Sequence, residues 1–183
     1  LHGRGKSHIS GWSEQKNVEI AYLIDPDQQV LDKSLAGLQK TAGAKFAAKG
    51  LADLRRALED PTLDAISVAT PNNWHSLMTI WGAQAGKHVY VEKPASHNIW
   101  EGRKMVEAWR KSDLRMQVGL NNRSAKNVRE AIAFLHGGGI GELYLARALC
   151  FKARDSYGLA KDGQPPAKFH YDQWLGPAPL RPY

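Results

Sequence analysis

The sequence has a single cysteine, no long apolar run and no basic-then-apolar leader at its N-terminus. One thiol, Cys150, excludes an internal disulfide framework. A membrane-crossing helix needs roughly 20 consecutive apolar residues, and the sequence contains no run of that length. The absent leader favours a cytoplasmic location. We therefore expect no membrane partner, and no metal site is predicted.

Basic residues outnumber acidic ones, giving a net charge of +7, but they form no concentrated run. Lys and Arg are scattered along predicted helices, and no zinc-finger, helix-turn-helix or RNP-like signature accompanies them. A solvated basic surface is the preferred interpretation, and such a surface also favours a diphosphate ligand. The sequence therefore predicts a small-molecule ligand rather than a nucleic acid.

Strand-like and helix-like runs alternate through the first 120 residues. Strands are predicted at 18–24, 44–47, 64–69, 88–93 and 116–119. Helices are predicted between them at 33–41, 51–59, 73–85 and 99–111. This alternation is typical of α/β proteins with a parallel, doubly wound sheet.

The pattern changes after Gly119. An amphipathic helix over 128–135 is followed by a long strand over 142–153, which indicates an antiparallel sheet in a second domain. Cys150 falls in this strand and is expected to be a buried, unreactive thiol. The last stretch, 163–183, is rich in Pro, Gly and aromatic residues and predicts a loop. We therefore predict a dinucleotide-binding domain over 1–120 and the beginning of a substrate domain over 121–183.

Two glycines, Gly3 and Gly5, precede a predicted helix near the N-terminus. Glycines in this position let backbone amides approach a pyrophosphate. Asp25 ends the first predicted strand 20 positions after Gly5, the spacing of an acid that hydrogen-bonds an adenosine ribose. The alternative is that Asp25 only forms a turn before Pro26. A carboxylate here favours NAD over NADP, although Arg4 could still accommodate a 2′-phosphate.

Polar clusters follow consecutive predicted strands, at Asp25, at 70–75, at 92–94 and at 121–123. The carboxyl ends of parallel strands meet at one edge of a sheet, where ligands bind. Pro94 ends its strand abruptly, because it lacks an N–H and restricts Lys93. The position of Glu92 and Lys93 at this edge therefore predicts a functional role. The alternative is that the two residues form only a surface ion pair.

Several motifs resemble the glucose–fructose oxidoreductase, inositol dehydrogenase and rhizopine-catabolism (Gfo/Idh/MocA) oxidoreductases. The most specific are ATPNNWH at 69–75 and AGKHVYVEKP at 85–94. Further matching segments are 101–103, 117–119 and WLGPAP at 174–179. The resemblance implies a Rossmann domain followed by a C-terminal α/β domain with an open, mostly antiparallel sheet. It further implies hydride transfer between NAD or NADP and a secondary alcohol of a sugar or polyol, by a protein that is a homo-oligomer when full length.

Matching the motifs residue by residue implies a role for each of their polar positions. Lys93 would act on the substrate hydroxyl proton, and Arg123 and Trp174 would lie near the substrate. The implied cofactor-binding residues are Gly3, Arg4, Gly5, Asp25, Thr70, Pro71, Asn72, His75, Glu92, Pro94 and Asn121. The Lys93–Pro94 bond becomes a candidate for the cis form. We expect Glu92 to point away from the Lys93 ammonium, because direct contact would oppose use of that lysine as a base.

The sequence also departs from the family pattern. His2 stands where the second glycine of the loop belongs, and the first glycine and the strand before it are missing. The family's Asp-x-x-x-His pair has no counterpart, since His170 precedes the WLGPAP motif. Both ends read as cut, so we interpret the sequence as a piece of a longer protein. Two other functions stay open: an NAD-dependent glycosidase that oxidises C3 transiently, and a non-catalytic cofactor-bound sensor or scaffold.

Overall fold

The computed structural model describes residues 1–43, 46–156, 158 and 160–183. The chain forms two units, one of Leu1–Gly119 with Gly163–Tyr183 and one of Leu120–Asp162. The predicted division into a domain over 1–120 and the beginning of another over 121–183 stays a prediction. In the structure the last segment, Gly163–Tyr183, belongs to the first unit.

Helices and parallel strands alternate in the first unit. In chain order they are α1 (Arg4–Ser13), β1 (Tyr22–Ile24), α2 (Gln28–Ala42), β2 (Lys49–Leu51), α3 (Leu54–Leu58), β3 (Ala65–Val68), α4 (Asn72–Gln84), β4 (His88–Glu92), α5 (Ile99–Arg110) and β5 (Met116–Gly119). The order agrees with the prediction, with one strand displaced. Of the strand predicted at 44–47, residues 44 and 45 lie outside the described part, and the second strand is at Lys49–Leu51.

The strands form two parallel sheets, β1–β2 and β3–β4–β5. Parallel strands joined through helices confirm the doubly wound, Rossmann-type class. β1 and β3 border the gap between the two sheets. The carboxyl ends of β1, β3 and β4 therefore bring their polar clusters to one region of the unit.

The hydrophobic core follows from the alternation of side chains along β3 and β4. Ile66, Val68, Val89 and Val91 are buried on one face and pack with Leu54 and Met105. Burying a side chain of this size contributes about 1.5–3 kcal/mol. Gly82 lets α4 lie close to this sheet, because a Cβ there would come within 2.7 Å of Ile66. Ser67 and Tyr90 occupy the opposite face, which α1 covers.

The second unit contains a 3-10 helix at Asn121–Ser124 and the helix α6 at Lys126–His136. The long strand predicted over 142–153 is not observed, since no residue in it is part of a strand. A strand is stable where its backbone groups pair with a neighbour, and this segment pairs with none of the described residues. The prediction that Cys150 is buried is wrong for the same reason, and its thiol is exposed.

The segment Gly163–Tyr183 contains the short helix α7 (Tyr171–Leu175) rather than only a loop. It packs on the start of α4, where the Trp74 indole N–H donates to the Gln173 carbonyl at 3.0 Å. The Asn73 amide donates to the Leu175 carbonyl at 2.7 Å. Gly176 has a positive φ of 53° and lies so close that any Cβ there would overlap the Trp74 ring. These contacts explain why the segment belongs to the first unit.

Candidate active site

The gap between the two sheets is a hollow of about 1400 Å³, bordered by β1 and β3. Its predicted lining residues are Gly3, Gly5, Asp25, Thr70, Pro71 and Trp174. The other predicted residues of this unit do not line it: Arg4, Asn72, His75, Glu92, Lys93 and Pro94. The glycine loop and the ends of β1 and β3 thus lie around one hollow. The end of β4 does not line this hollow, but Glu92 contacts Arg4 of the glycine loop.

The glycine loop is shaped to approach a ligand closely. Gly3 caps α1 with a positive φ of 44°, a backbone conformation that favours glycine. A Cβ added at Gly3 or Gly5 would meet no protein atom within 4 Å, so the space beside both residues is open. The free N–H groups of the first turn of α1 carry a partial positive charge. The loop therefore fits a pyrophosphate.

Asp25 lies at the carboxyl end of β1 and is only 8% exposed. Its Oδ1 accepts the Asp27 N–H at 2.9 Å. Asp27 in turn caps α2 by accepting the N–H groups of Gln29 and Val30. Asp25 thus forms the turn that the alternative interpretation required and also lines the cavity.

Thr70 and His75 follow β3 and have different surroundings. The Thr70 hydroxyl is buried and has no hydrogen-bond partner among the described residues. An unpaired buried hydroxyl is unfavourable, which is consistent with a ligand as its partner. His75 is 1% exposed, and its ring nitrogens lie 2.6 Å from the Pro94 carbonyl and 3.0 Å from the Thr70 carbonyl. Its ring therefore links the ends of β3 and β4 and faces the protein.

Glu92 ends β4 as a buried carboxylate with three donors around it. It accepts the Arg4 Nε–H at 2.9 Å, the Lys93 N–H at 3.2 Å and contacts His8 Nε2 at 3.3 Å. Burial disfavours its ionised form, but the hydrogen bonds from Arg4, His8 and Lys93 outweigh it and hold the pKa of Glu92 below its usual range. The carboxylate thus turns toward α1 rather than toward the Lys93 ammonium, as expected.

Lys93 is exposed and precedes a cis peptide bond to Pro94. Within the described residues its ammonium makes no hydrogen bond or ion pair. Its backbone is joined to the glycine loop, because Glu92 accepts from both the Lys93 N–H and Arg4. Lys93 and the glycine loop therefore lie on the same rim of the sheet, and the side chain is free to reach a substrate.

Of the remaining predicted residues, Trp174 borders the large hollow and the others lie elsewhere. Asn72 begins α4 and lines a smaller hollow of about 430 Å³ with His97. Trp174 lies on α7, stacked on Tyr171 with 6.0 Å between ring centroids. Asn121 and Arg123 belong to the 3-10 helix of the second unit, and their part in the site stays a prediction.

The sequence analysis missed His8, Trp12 and Ser67. His8 contacts Glu92, and both His8 and Trp12 form hydrogen bonds with Ser67 on the α1-facing side of the sheet. A signal was present: Arg4, His8 and Trp12 are spaced by four residues, which places them on one face of a helix.

Two general searches complete the description of the site. No group of three or more His, Cys, Asp or Glu side chains in the described ranges could hold a metal ion. None of the helices that the structure describes combines the length and apolar character needed to cross a bilayer.

Comparison with known proteins shows what the chain is similar to. A family model described as "Oxidoreductase family, NAD-binding Rossmann fold" matches residues 3–120. The myo-inositol 2-dehydrogenase of Thermotoga maritima is 34% identical over 128 residues, which are 70% of this chain and 36% of that protein. A glycosyl hydrolase family 109 protein of Shewanella pealeana is 28% identical over 76% of this chain and 31% of its own length.

Among solved structures, the WlbA dehydrogenase of Bordetella pertussis, crystallised with NADH and UDP-GlcNAcA, has a TM-score of 0.65. It is 26% identical, and the match covers 74% of this chain and 39% of that one. The chain thus spans between 31% and 39% of the length of these three proteins.

Proposed function

The chain belongs to the oxidoreductase family with an NAD-binding Rossmann fold, and on that premise we propose that the whole protein is a sugar or polyol dehydrogenase. It transfers a hydride between a secondary alcohol of its substrate and the nicotinamide of NAD. The observation that carries the proposal is that Glu92 connects the glycine loop, through Arg4, to the Lys93 backbone at the carboxyl end of β4. Asp25 and Thr70 follow the carboxyl ends of β1 and β3.

The residues present fit the cofactor. The open sides of Gly3 and Gly5 take the pyrophosphate, Asp25 accepts from the adenosine ribose, and the unpartnered Thr70 hydroxyl gains a partner. When bound, NAD supplies the hydride acceptor. Pro71 lines the same cavity, while His75 and Pro94 support it from behind by joining the two strand ends.

The same geometry favours NAD over NADP. The buried Asp25 carboxylate repels a 2′-phosphate. Arg4, the cation that could offset this repulsion, is held beside the glycine loop by Glu92 through its Nε, where its terminal nitrogens would serve the diphosphate. We expect the protein to bind NADH more tightly than NADPH in a fluorescence titration. Equal affinities would show that Asp25 is only a turn residue.

Lys93 supplies the proton transfer. An alcohol does not release hydride readily while it keeps its proton, so a base must lie within hydrogen-bond reach. A lysine becomes a base where burial or a nearby positive charge disfavours its ammonium, and because Lys93 is exposed, the charge of the oxidised nicotinamide would have to supply this effect. Glu92 would oppose this if it paired with the ammonium, but its carboxylate is occupied by Arg4, His8 and the Lys93 backbone. In this proposal Trp174 and Arg123 contact the substrate.

The experiment is a substrate panel with the full-length protein. Inositols, aldoses, their lactones and anhydrosugars are each mixed with NAD or NADH, and the nicotinamide absorbance is followed. Net reduction or oxidation that requires one substrate class supports the proposal. A protein that binds NADH but turns over no panel member in either direction contradicts it and favours the sensor or scaffold function.

A second candidate function is an NAD-dependent glycosidase, favoured by the similarity to the glycosyl hydrolase family 109 protein. In such a reaction, transient oxidation at C3 acidifies C2 and permits elimination of the glycosidic group. Aryl glycosides included in the panel separate the two candidates. Release of the aryl group without net change in the nicotinamide absorbance indicates the glycosidase, and a net absorbance change indicates the dehydrogenase.

A further inference from the structure

One face of α1 is linked to the sheet by a continuous chain of side-chain hydrogen bonds. The Trp12 indole N–H donates to Ser67 Oγ at 2.9 Å, and Ser67 Oγ lies 2.8 Å from His8 Nδ1. His8 Nε2 lies 3.3 Å from Glu92 Oε1, which also accepts the Arg4 Nε–H at 2.9 Å. The chain therefore runs from the middle of β3, through α1, to the carboxylate that precedes Lys93.

The chemistry of the groups fixes the direction of each bond. The ionised Glu92 carboxylate only accepts, so His8 Nε2 carries the hydrogen of this bond. In the neutral His8 ring Nδ1 is then an acceptor, so Ser67 Oγ, which accepts the indole N–H, donates its own hydrogen to Nδ1. Edge-on contacts of His8 and Trp12 with the Tyr90 ring, at 5.4 and 5.9 Å, hold both rings in place.

Arg4 occupies the end of this chain beside the glycine loop. It is the first residue of α1, between Gly3 and Gly5, and its side chain is 45% exposed. Only its Nε is engaged by a described residue, so its two terminal nitrogens remain available as donors. A guanidinium at a helix N-terminus is well suited to a phosphate oxygen.

We propose that His8 is a positioning residue for the cofactor's diphosphate. By donating to Glu92 it fixes the carboxylate that holds Arg4 beside the glycine loop. Glu92 accordingly acts through Arg4, whereas the family resemblance implies that it binds the cofactor itself. The proposal rests on the proposed function for its ligand, but the hydrogen-bond chain itself is a property of the protein alone.

The test measures binding of NADH, ADP and adenosine to the full-length protein by calorimetry. In His8→Ala we expect NADH and ADP to bind roughly 3- to 10-fold more weakly, the effect of losing one ordinary hydrogen bond, because His8 acts on the ligand only through Glu92 and Arg4. Adenosine, which has no phosphate, should bind as to the wild type. His8→Gln should restore most of the affinity, since its amide can still donate to Glu92. Ser10→Ala, which changes an α1 residue outside the chain of bonds, is the matched control.

A double-variant cycle separates positioning from general damage to α1. Because His8 acts through Arg4, His8→Ala should weaken NADH binding by less than about two-fold when Arg4→Ala is already present. Additive losses would contradict the proposal. So would an unchanged NADH affinity in His8→Ala alone, or an equal loss of adenosine affinity. Thermal unfolding shows whether each variant is folded, and if His8→Ala is not, Ser67→Ala replaces it in the cycle with the same expectations.

A spectroscopic readout tests the chain of bonds without any ligand. Long-range ¹⁵N–¹H NMR should find the His8 ring as the Nε2–H tautomer, and Ser67→Ala should shift it toward a mixture. An Nδ1–H tautomer in the wild type would overturn the proposal. If the wild type binds neither NADH nor ADP, the proposed function fails and the positioning role with it. If the wild type binds both and His8→Ala binds them equally well, only the positioning role fails.

Discussion

Replacing Glu92 by glutamine tests whether its charge, rather than its shape, holds α1 to the end of β4. Glu92→Gln keeps the size of the side chain, and with it the close contact to Gly119. Three groups donate to the carboxylate, and a neutral amide oxygen accepts less strongly from each. The new amide N–H group would also face donors instead of acceptors.

The magnitude follows from the burial of these groups. Hydrogen bonds to buried charged groups contribute about 1.5–3 kcal/mol. The Glu92 side chain is 6% exposed, so its bonds to His8 and the Lys93 N–H are little weakened by solvent. The Arg4 side chain is 45% exposed, and water screens that pair. We expect Glu92→Gln to lower the free energy of unfolding by about 1–2 kcal/mol at neutral pH.

The effect should depend on pH in a defined direction. The pKa of Glu92 is lowered in the folded protein, because its hydrogen bonds outweigh its burial. The carboxylate therefore stabilises the fold fully above the unfolded value of about 4.3, and this stabilisation is lost as the pH falls through the folded pKa. Wild type and Glu92→Gln should thus become equally stable under acid conditions.

Urea unfolding of both proteins between pH 7 and pH 3 measures this difference. Glu107→Gln is the control, because Glu107 is 55% exposed and pairs only with Lys104 among the described residues. Its effect should stay within about 0.5 kcal/mol. Equal stability of Glu92→Gln and wild type at pH 7 would refute the reasoning, as would a difference that persists unchanged in acid.

Two further predictions concern the fold around the site. Gly82→Ala should destabilise the protein, because the new Cβ would lie 2.7 Å from Ile66 and 2.8 Å from Val89. Overpacking costs about 1–3 kcal/mol, which exceeds the gain of about 1 kcal/mol in helix propensity. Gly37→Ala on α2, where a Cβ meets nothing within 4 Å, should instead stabilise the protein. A shift of the urea midpoint in the same direction for both variants would contradict this account. Hydrogen bonds from Thr62 and Tyr22 lower the pKa of Asp60 to about 2, so stability should fall as the pH drops from about 4 toward 2. Tyr22→Phe should make that acid-induced loss smaller, and an identical pH profile would show that the bond to Asp60 does not set it.

Much of the site region was predictable because its signals are local. Val89 and Val91 alternate with outward-facing residues and are buried, and Pro94 ends the strand where its missing N–H requires. Asp25 lies at the end of β1, and its role toward the cofactor stays a prediction. Strand direction then brings such residues together, since parallel strands share one carboxyl edge.

Other features depend on contacts between segments distant in the chain. His8 meets Ser67 across 59 residues, and only the packing of α1 on the sheet decides which side chains face each other. The segment Gly163–Tyr183 returns to α4 because Trp74 finds backbone acceptors there, which no periodicity reveals. Cys150 had the pattern of a strand but no neighbouring strand to pair with among the described residues.

Lys93→Met in the full-length protein tests the central claim most directly, with Lys104→Met on the exposed face of α5 as the control. Turnover of the substrate found in the panel and the dissociation constant of NADH are measured for both variants. The account predicts that Lys93→Met lowers kcat by about 10²-fold or more while NADH binds within about two-fold of wild type. Near-normal turnover in Lys93→Met would contradict it, because the amine would then not be the group that receives the alcohol proton.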